Sequence, residues 1–467
     1  MATLTLKVLM TPRPHLLTAS ALLIVAALAM PAQAQYLETT IPVGEEPDQL
    51  FWNPLGDKVY CSNRAENTVT IIDCQTNQVS ATLHVPAGPS FFGWNPHANK
   101  VYCSSGDANR ISVIDGVGDT LIHSITASGW PGRLAYCETL DKLYVSCADD
   151  CYIRIFDDTT YEQVRRLDLP LNPGPLVWNP ASNRVFVSAG GDPDTVYVID
   201  CATDSIVARR DIGPMGAPFL RHATRDVVYA PSHDSMHVFS PTGDSVLAEF
   251  GIGAYAPWYI CAVPYPDKLY VGDFNGFGIT VIDCAYNAVV DTLNGGRPFY
   301  CDTARGGKVY CLANGMDVYD GHADTVLVHL DFGHSLVEVT ASPTQGRVYV
   351  TDQLNDVVYV VRDTTTGIAE GPTPQAQTAS MLASPNPFSA GVELSGSSEH
   401  GVPGEVYVFS RTGERVAMLH PAATGAGRWR CAWDGRDALG RVVPAGVYFV
   451  RSAGLAPCSV VKTTSTL

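Results

Sequence analysis

Five residues of the chain carry side chains that could stack on a ligand and clamp it. Trp130, Arg133, Trp258, Arg297 and Asp273 fall in Gly/Pro-rich junctions or polar loops. An arginine guanidinium binds carboxylates through two parallel hydrogen bonds and stacks on aromatic faces. These residues could form a binding mouth for a sugar or an acidic ligand if the fold brings them together. The favoured interpretation is that each residue only packs its own turn, because no acid–base pair repeats at a fixed spacing.

The chain lacks the motifs that mark the common catalytic and metal centres. It has no G-x-S-x-G nucleophile turn, glycine-rich phosphate loop, C-x-x-C-H haem motif, paired C-x-x-C motifs or EF-hand loop. His222, His233 and His237 lie close together, but no carboxylate or thiolate accompanies them at a metal-binding spacing. We interpret these histidines as loop residues and expect no metal, no cofactor and no catalytic residues.

A repeated phrase shows which elements must position the candidate residues. The aromatic residue of a Lys/Arg, Val/Leu, Tyr/Phe phrase recurs eight times at intervals of 39 to 43 residues. These aromatic residues are Tyr60, Tyr102, Tyr144, Phe186, Tyr229, Tyr270, Tyr310 and Tyr349. Each copy holds four short β-branched or aromatic runs separated by turn residues, which is typical of four strands. Four strands per forty residues predict a β-propeller blade.

The copy count also predicts how the ring closes. The eighth copy loses its pattern after three strands, whereas "YLETTIPVG" (36–44) resembles a fourth strand and precedes the first copy. We expect this N-terminal strand to complete the last blade, which would remove an exposed edge. The sequence thus predicts an all-β, eight-bladed β-propeller closed by an N-terminal strand. Seven blades is the alternative if one degenerate copy is only a flap.

The phrase "DKVYCSN…NTVTIIDCQTNQVSATLHV" resembles the YVTN family of propeller repeats. The resemblance covers about 36–363 and implies the fold. It does not imply one activity, because relatives range from surface-layer and adhesin-like proteins to propellers similar to lactonases and to the haem d1 domain. This chain places cysteine where the family usually has valine or threonine. These cysteines are Cys61, Cys103 and Cys311 after the aromatic residue, and Cys74, Cys201 and Cys284 after the aspartate.

Other recurring residues are interpreted as architecture. An aspartate recurs at one repeat position, which predicts that it accepts hydrogen bonds from the turn that follows. Its copies are Asp73, Asp115, Asp157, Asp200, Asp283 and Asp320. Most repeat-position cysteines are expected to be small buried residues. Two disulfides are possible, Cys147–Cys151 across a short turn and Cys431–Cys458 in the tail.

The N-terminal segment predicts export. Lys7 and Arg13 precede a short apolar run that ends in the A-x-A pattern "AQA", so we expect a signal peptide over 1–34. No other run is long enough to span a membrane. The formal charge of −17 argues against nucleic acid and anionic membranes as partners.

The composition changes after the repeats, which are assigned to 35–365. Residues 366–383 have a linker composition, and 384–467 return to short alternating strands, as in a small β-sandwich. The motifs "NPF", "SRTGERV", "WDGRD" and "GVYF" resemble Ig-like C-terminal modules of flagellar hook-capping proteins and type IX secretion sorting domains. This resemblance implies contact with export machinery.

Two functions are compatible with these patterns. The favoured one is an exported, non-enzymatic propeller that binds a protein or glycan ligand, with the tail serving export or surface attachment. We expect it to be secreted or on the bacterial outer surface, with the periplasm as the alternative. The other function is a secreted, lactonase-like hydrolase with its site at the central loop mouth. Two or three titratable side chains with shifted pKa values at the channel would favour an enzyme.

Overall fold

The fold is taken from a computed structural model, which describes most of the repeat region and much of the tail. The described residues are 35–190, 194–213, 219–222, 224–253, 257–264, 267–273, 278–302, 307–333, 335–364, 382–386, 388–397, 406–410, 415–425, 428–437, 440–451 and 458–463. The expected signal peptide lies outside them, as does nearly all of the expected linker.

The repeat region forms 32 strands in the described residues, and their bounds follow the predicted period. They are β1 Gln35–Pro42, β2 Pro47–Asn53, β3 Lys58–Asn63, β4 Thr68–Asp73, β5 Gln78–His84, β6 Pro89–Asn95, β7 Lys100–Ser105, β8 Arg110–Asp115, β9 Thr120–Thr126, β10 Pro131–Cys137, β11 Lys142–Cys147, β12 Tyr152–Asp157, β13 Gln163–Asp168, β14 Asn172–Asn179, β15 Arg184–Gly190, β16 Thr195–Asp200, β17 Ser205–Asp211, β18 Leu220–His222, β19 Val227–Pro231, β20 Ser235–Phe239, β21 Val246–Gly251, β22 Pro257–Val263, β23 Lys268–Asp273, β24 Gly278–Asp283, β25 Ala288–Asn294, β26 Arg297–Asp302, β27 Lys308–Ala313, β28 Gly315–Asp320, β29 Thr325–Leu330, β30 Leu336–Ser342, β31 Arg347–Asp352 and β32 Val357–Asp363.

These strands form eight four-stranded sheets within the described residues. Sheets 1 to 7 each use four consecutive strands, from β2–β5 to β26–β29, and the strand pairs described within them are antiparallel. Sheet 8 has the order β1-β32-β31-β30, so the N-terminal strand supplies its fourth member. The predicted closure by residues near the N-terminus is confirmed.

Side-chain contacts reinforce this closure. The Gln35 amide donates to Asp363 at 2.8 Å, and the Arg347 guanidinium binds both carboxylate oxygens of Glu38 at 2.6 and 2.8 Å. Arg347 also donates to the Cys74 carbonyl of sheet 1. The charged Arg347 and Glu38 groups therefore tie the closing strand to the neighbouring sheet as well as to sheet 8.

The first strand of each sheet is its inner strand. Successive inner strands pack on each other, as β30, β2, β6, β10 and β14 do on one side and β22, β26 and β30 do on the other. The second and third strands are almost wholly buried, whereas fourth strands such as β5 and β17 are largely exposed. This gradient from buried to exposed strands is the arrangement of blades around a channel lined by inner strands.

The repeated phrase of a lysine, an aliphatic residue and a tyrosine joins several sheets to the next. The Lys142 ammonium and the Tyr144 hydroxyl, both on β11, donate to the two oxygens of Asp204 in sheet 4, at 2.6 and 2.8 Å. The same arrangement joins Lys100 and Tyr102 to Asp158, Lys268 and Tyr270 to Asp324, and Lys308 and Tyr310 to Asp363. At these four blade interfaces the phrase pairs a buried charge and a buried hydroxyl with one carboxylate.

The recurring aspartate has the predicted role. Asp115 accepts from the backbone N–H groups of Val117 and Gly118, both at 3.1 Å, and Asp200 accepts from Ala202 and Thr203. Asp73, Asp157, Asp283 and Asp320 do the same in their own turns. These six carboxylates fix the turn between the third and fourth strands, so the prediction is confirmed.

The tail is a separate compact unit with eight strands in its described residues. They are β33 Leu382–Ser384, β34 Val392–Ser397, β35 Val406–Phe409, β36 Arg415–Leu419, β37 Ala422–Gly425, β38 Arg428–Trp433, β39 Gly446–Arg451 and β40 Cys458–Lys462. They form two antiparallel sheets, β33-β34-β38-β37 and β36-β35-β39-β40. Trp429 and Trp433 of the first sheet share one buried core with Val408 and Val450 of the second. No helix in the described part of the chain is long and apolar enough to cross a membrane.

Candidate ligand site on the inner strands

A bulge near the start of the inner strands turns one residue per blade out of the ladder. Pairing is irregular between Pro131 and Leu134 of β10, and the N–H of Arg133 donates instead to the Ser146 hydroxyl at 2.9 Å. The same hydroxyl donates to the Arg133 carbonyl at 3.3 Å. A recurring serine or threonine thus satisfies the backbone groups that the bulge leaves without ladder partners. The equivalent bulged residues are Gln49, Phe91 and Glu338, held by Ser62, Ser104 and Thr351.

Arg133 stacks on the bulged residue of the preceding sheet. Its guanidinium carbon lies 4.2 Å from the centroid of the Phe91 ring. This distance is well within cation–π range, and stacking leaves the guanidinium edge able to bind an anion. Arg133 remains partly exposed.

Arg297 occupies a similar environment on β26. It donates to the Tyr259 hydroxyl at 3.3 Å and to the Leu336 carbonyl at 3.0 Å, and its guanidinium lies 5.5 Å from the centre of the Tyr259 ring. The Phe299 ring lies 4.5 Å from that of Tyr259 and 5.6 Å from the guanidinium. Aromatic side chains therefore orient a second arginine on the inner strands.

Glu338 is the acid of this group, and its pKa is strongly perturbed. Burial raises the pKa of Glu338 to about 7, against the opposing effects of the Val339 N–H at 3.1 Å and the charges of Arg133 and Arg297. Burial disfavours an ionised carboxylate, and here this effect exceeds the attraction of two cations. Glu338 therefore titrates in the physiological range.

Asp48 of sheet 1, Arg133 of sheet 3 and Glu338 of sheet 8 interact electrostatically although they lie on three different sheets. Burial lowers the pKa of Arg133, and the charges of Glu338 and Asp48 oppose that shift. Asp48 accepts a hydrogen bond from Ser90 at 3.3 Å. We call Asp48, Arg133, Tyr259, Arg297 and Glu338 the inner-strand cluster. With Glu338 protonated, two arginines face one carboxylate, so the cluster carries a net positive charge within an acidic chain.

A small cavity lies beside Arg133. Its volume is about 170 Å³, and inner-strand residues of sheets 1 to 4 line it, including Gln49, Phe51, Phe92 and Pro175. Pockets for drug-sized ligands usually measure about 300 to 1,000 Å³. The cavity is therefore suited to one end group of a ligand, between apolar walls and a guanidinium.

Two of the five candidate residues belong to the cluster and three do not. Arg133 and Arg297 share Glu338 as an electrostatic partner. The Trp130 indole donates to Asp107 at 3.3 Å, while its backbone N–H donates to Asn109, so it links two loops. Trp258 precedes Tyr259 on β22 and is 45% exposed, and Asp273 ends β23 opposite Pro257.

Sequence reasoning missed Asp48, Tyr259 and Glu338. A signal for two of them was present, because Tyr259 and Glu338 occur two residues after the start of their inner strands, as Arg133 does. Aligning the repeats on this position would have listed Arg133, Tyr259 and Glu338 together. Their chemistry differs from blade to blade, which distinguishes them from the recurring aspartates.

The predicted Cys147–Cys151 disulfide is not formed. Cys147 lies opposite Tyr152, not Cys151, because residues 148–151 form the turn and Cys151 has φ of 55°. The Cys151 thiol donates to Asn172 at 2.7 Å instead. In the tail, Cys431 is buried on β38, whereas Cys458 begins β40 in the other sheet, and their pairing stays a prediction. The disulfide of the described residues joins Cys261 of β22 to Cys301 of β26.

Comparisons with known proteins identify the fold. No family model matches the chain, and no curated protein does. Among solved structures, hydrazine synthase of Kuenenia stuttgartiensis matches with a TM-score of 0.50 and 16% identity, over 70% of this chain and 97% of that one. Dihydro-heme d1 dehydrogenase NirN in complex with DHE matches with a TM-score of 0.58 and 12% identity, over 71% of this chain and 75% of that one. BamB of Moraxella catarrhalis matches with a TM-score of 0.55 and 12% identity, over 70% of this chain and 99% of that one.

These neighbours share the β-propeller fold with this chain and not its sequence. They include enzymes and a protein that is not an enzyme, so their likeness carries the fold alone. Function must be argued from the inner-strand cluster itself.

Proposed function

We propose that this chain is an exported, non-enzymatic β-propeller that binds the acidic end group of a glycan at the inner-strand cluster. The observation that carries the proposal is Arg133, stacked 4.2 Å above Phe91 beside a small cavity with aromatic walls. Sugars with a carboxylate suit this combination, because a pyranose ring packs on aromatic faces while the carboxylate binds a guanidinium.

The charge of the cluster supports an acidic ligand. The whole chain has a formal charge of −17, which repels anions at long range. Arg133 and Arg297 make the inner-strand cluster locally positive within this acidic chain. When Glu338 is protonated, Asp48 neutralises only part of their charge. An anion that enters the channel gains this attraction in an environment of reduced dielectric constant.

The proposal includes export and a surface role. The N-terminal signal-peptide pattern supports secretion, and the likeness of the tail motifs to Ig-like sorting modules supports export or surface attachment through the tail. The YVTN-type phrase supports the same assignment, since members of that family include surface-layer and adhesin-like proteins. In this proposal the ring binds the ligand and the tail contacts the export machinery.

The test compares a uronic acid oligosaccharide with a neutral one of the same ring size. Calorimetric titration of the full chain with a glucuronic-acid trisaccharide and with its glucose counterpart should give binding for the acid alone. The variant Arg133→Gln should lose that binding. Arg166→Gln is the matched control, because Arg166 stacks 4.2 Å above Tyr152 on an exposed outer strand. Equal binding of both sugars, or full binding by Arg133→Gln, would overturn the proposal.

Glu338 and Arg133 are two titratable side chains with shifted pKa values in the same cluster, which supports a second candidate, a lactonase-like hydrolase with its site there. A carboxyl group with a pKa of about 7 is suited to general acid–base catalysis, and nearby arginines would stabilise a developing oxyanion. The test is hydrolysis of γ- and δ-lactones by the wild type and by Glu338→Gln. Turnover that Glu338→Gln abolishes would establish the hydrolase, whereas no turnover by the wild type would exclude it for these substrates.

A further inference from the structure

The end of an inner strand meets the residue that follows the third strand of the next sheet. In sheets 2 and 3 these residues are Asn95 and Asp158, and the Asn95 amide donates to the Asp158 carboxylate at 2.6 Å. In sheets 1 and 2 they are Asn53 and Gly116, and a Cβ on Gly116 would lie 2.7 Å from the Asn53 amide nitrogen. This meeting point is a property of the repeat, because it recurs wherever two blades adjoin.

Cysteines occupy both positions between sheets 3 and 4. Cys137 ends β10, and Cys201 directly follows β16. The Cys137 thiol donates to the Asn183 side-chain oxygen at 3.2 Å, and the Cys201 N–H donates to the Asn183 carbonyl at 3.2 Å, so both cysteines contact the same residue. Both cysteines are completely buried within one core cluster. The repeat therefore places two thiols in contact across a blade interface.

The chain already joins another pair of blades in this way. The Cys261–Cys301 disulfide connects the inner strands of sheets 6 and 7, with a Cα–Cα separation of 6.0 Å. That separation is typical of disulfides in folded proteins. Covalent links between neighbouring blades are thus compatible with this fold.

We propose that Cys137 and Cys201 form a second disulfide between blades when the chain folds in an oxidising environment. The oxidant is a disulfide of the glutathione class. The Cys137 thiolate attacks one glutathione sulfur and releases the first glutathione as a thiolate. The Cys201 sulfur, after losing its proton, displaces the second glutathione from the mixed disulfide. Two electrons pass from the cysteine pair to glutathione disulfide, and the two protons end on two glutathione thiols.

The burial of the pair determines when the link can form. The interaction that lowers the pKa of Cys137 and raises that of Cys201 exists only after the two sheets have packed together, so the roles of the two cysteines in the exchange can be interchanged. Both thiols are inaccessible in the folded chain, so the link must form before sheets 3 and 4 close on each other.

Peptide mapping of the refolded full chain tests the proposal. The reduced, unfolded protein is refolded with reduced and oxidised glutathione, its free thiols are alkylated, and it is digested with trypsin without reductant. Peptides 134–142 and 185–209 each contain one cysteine, whereas Cys147 and Cys151 share a different peptide, 143–154. We expect a single species in which peptides 134–142 and 185–209 are joined. Dithiothreitol should reduce the disulfide and separate the two peptides.

Two variants and a melting experiment make the result specific. Cys137→Ser should leave Cys201 fully alkylated, whereas Cys103→Ala should leave the joined peptides unchanged. The oxidised wild type should melt about 5 °C above oxidised Cys137→Ser, as expected for a link that closes a long loop in a large domain. Alkylation of both Cys137 and Cys201 in refolded wild-type protein, or a link from either to another cysteine, would overturn the proposal.

Discussion

Replacing Glu338 by glutamine should change how the stability of the ring depends on pH. Glutamine keeps the shape and hydrogen-bonding ability of the side chain but cannot ionise. The pKa of Glu338 is about 7 in the folded chain, whereas the ordinary value for a glutamate carboxyl is 4.5. The folded state therefore binds this proton more tightly than the unfolded state. The resulting stability is fully present below pH 4.5 and is lost as the pH rises through 7.

The two pKa values set the size of the effect. Between pH 5 and pH 8 the wild type should lose about 2.5 kcal/mol of unfolding free energy through Glu338 alone. Other carboxylates also titrate, so the quantity to measure is the difference between wild type and Glu338→Gln. Urea unfolding followed by tryptophan fluorescence at both pH values gives this difference, and it should shift in favour of the variant at pH 8.

A control and a contrary result define the test. Glu162→Gln removes a carboxylate from an exposed turn, and its difference from the wild type should stay constant over the same pH range. If the difference between wild type and Glu338→Gln also stays constant, or shifts in favour of the wild type at pH 8, Glu338 is not a buried carboxyl and our account of the cluster fails.

Three substitutions test the architecture that holds the cluster, each by urea unfolding. Ser146→Ala removes the hydroxyl that pairs with both backbone groups of Arg133, so it should lower the free energy of unfolding by about 1 to 2 kcal/mol. An unchanged free energy of unfolding would contradict that role. Lys308→Met leaves the buried Asp363 carboxylate without its cation and should cost about 3 kcal/mol, so a loss below about 1 kcal/mol would show that the pair does not stabilise the interface. Arg347→Met breaks the two contacts with Glu38 at the closing strand and should cost about 2 kcal/mol, whereas unchanged stability would mean that backbone pairing alone closes the ring.

The parts of the fold that repeat could be predicted, because a periodic pattern reports on packing that every blade shares. Tyr102 and Asp115 show this clearly: one is buried against the next sheet, and the other fixes a turn. Pairing of β1 with β32 was predictable for the same reason, since the eighth copy lacked its fourth strand.

The cluster was less predictable, because each of its side chains occurs once. Arg133 and Arg297 attracted attention by residue type, whereas Glu338 lies in the apolar run "LVEVTAS" and resembles an ordinary strand residue. Its importance comes from cations on other sheets, which sequence spacing does not reveal. The register at Cys147 was missed for a local reason, because the turn includes Cys151 and Tyr152 takes the opposing position.

The central claim is that the inner-strand cluster binds an acidic end group, and calorimetric titration of the glucuronic-acid trisaccharide at two pH values tests it most directly. If the ligand requires protonated Glu338, its dissociation constant should rise about tenfold from pH 6 to pH 8, and Glu338→Gln should abolish this change. Absence of binding at pH 6, or binding that tightens as Glu338 ionises, would contradict the account.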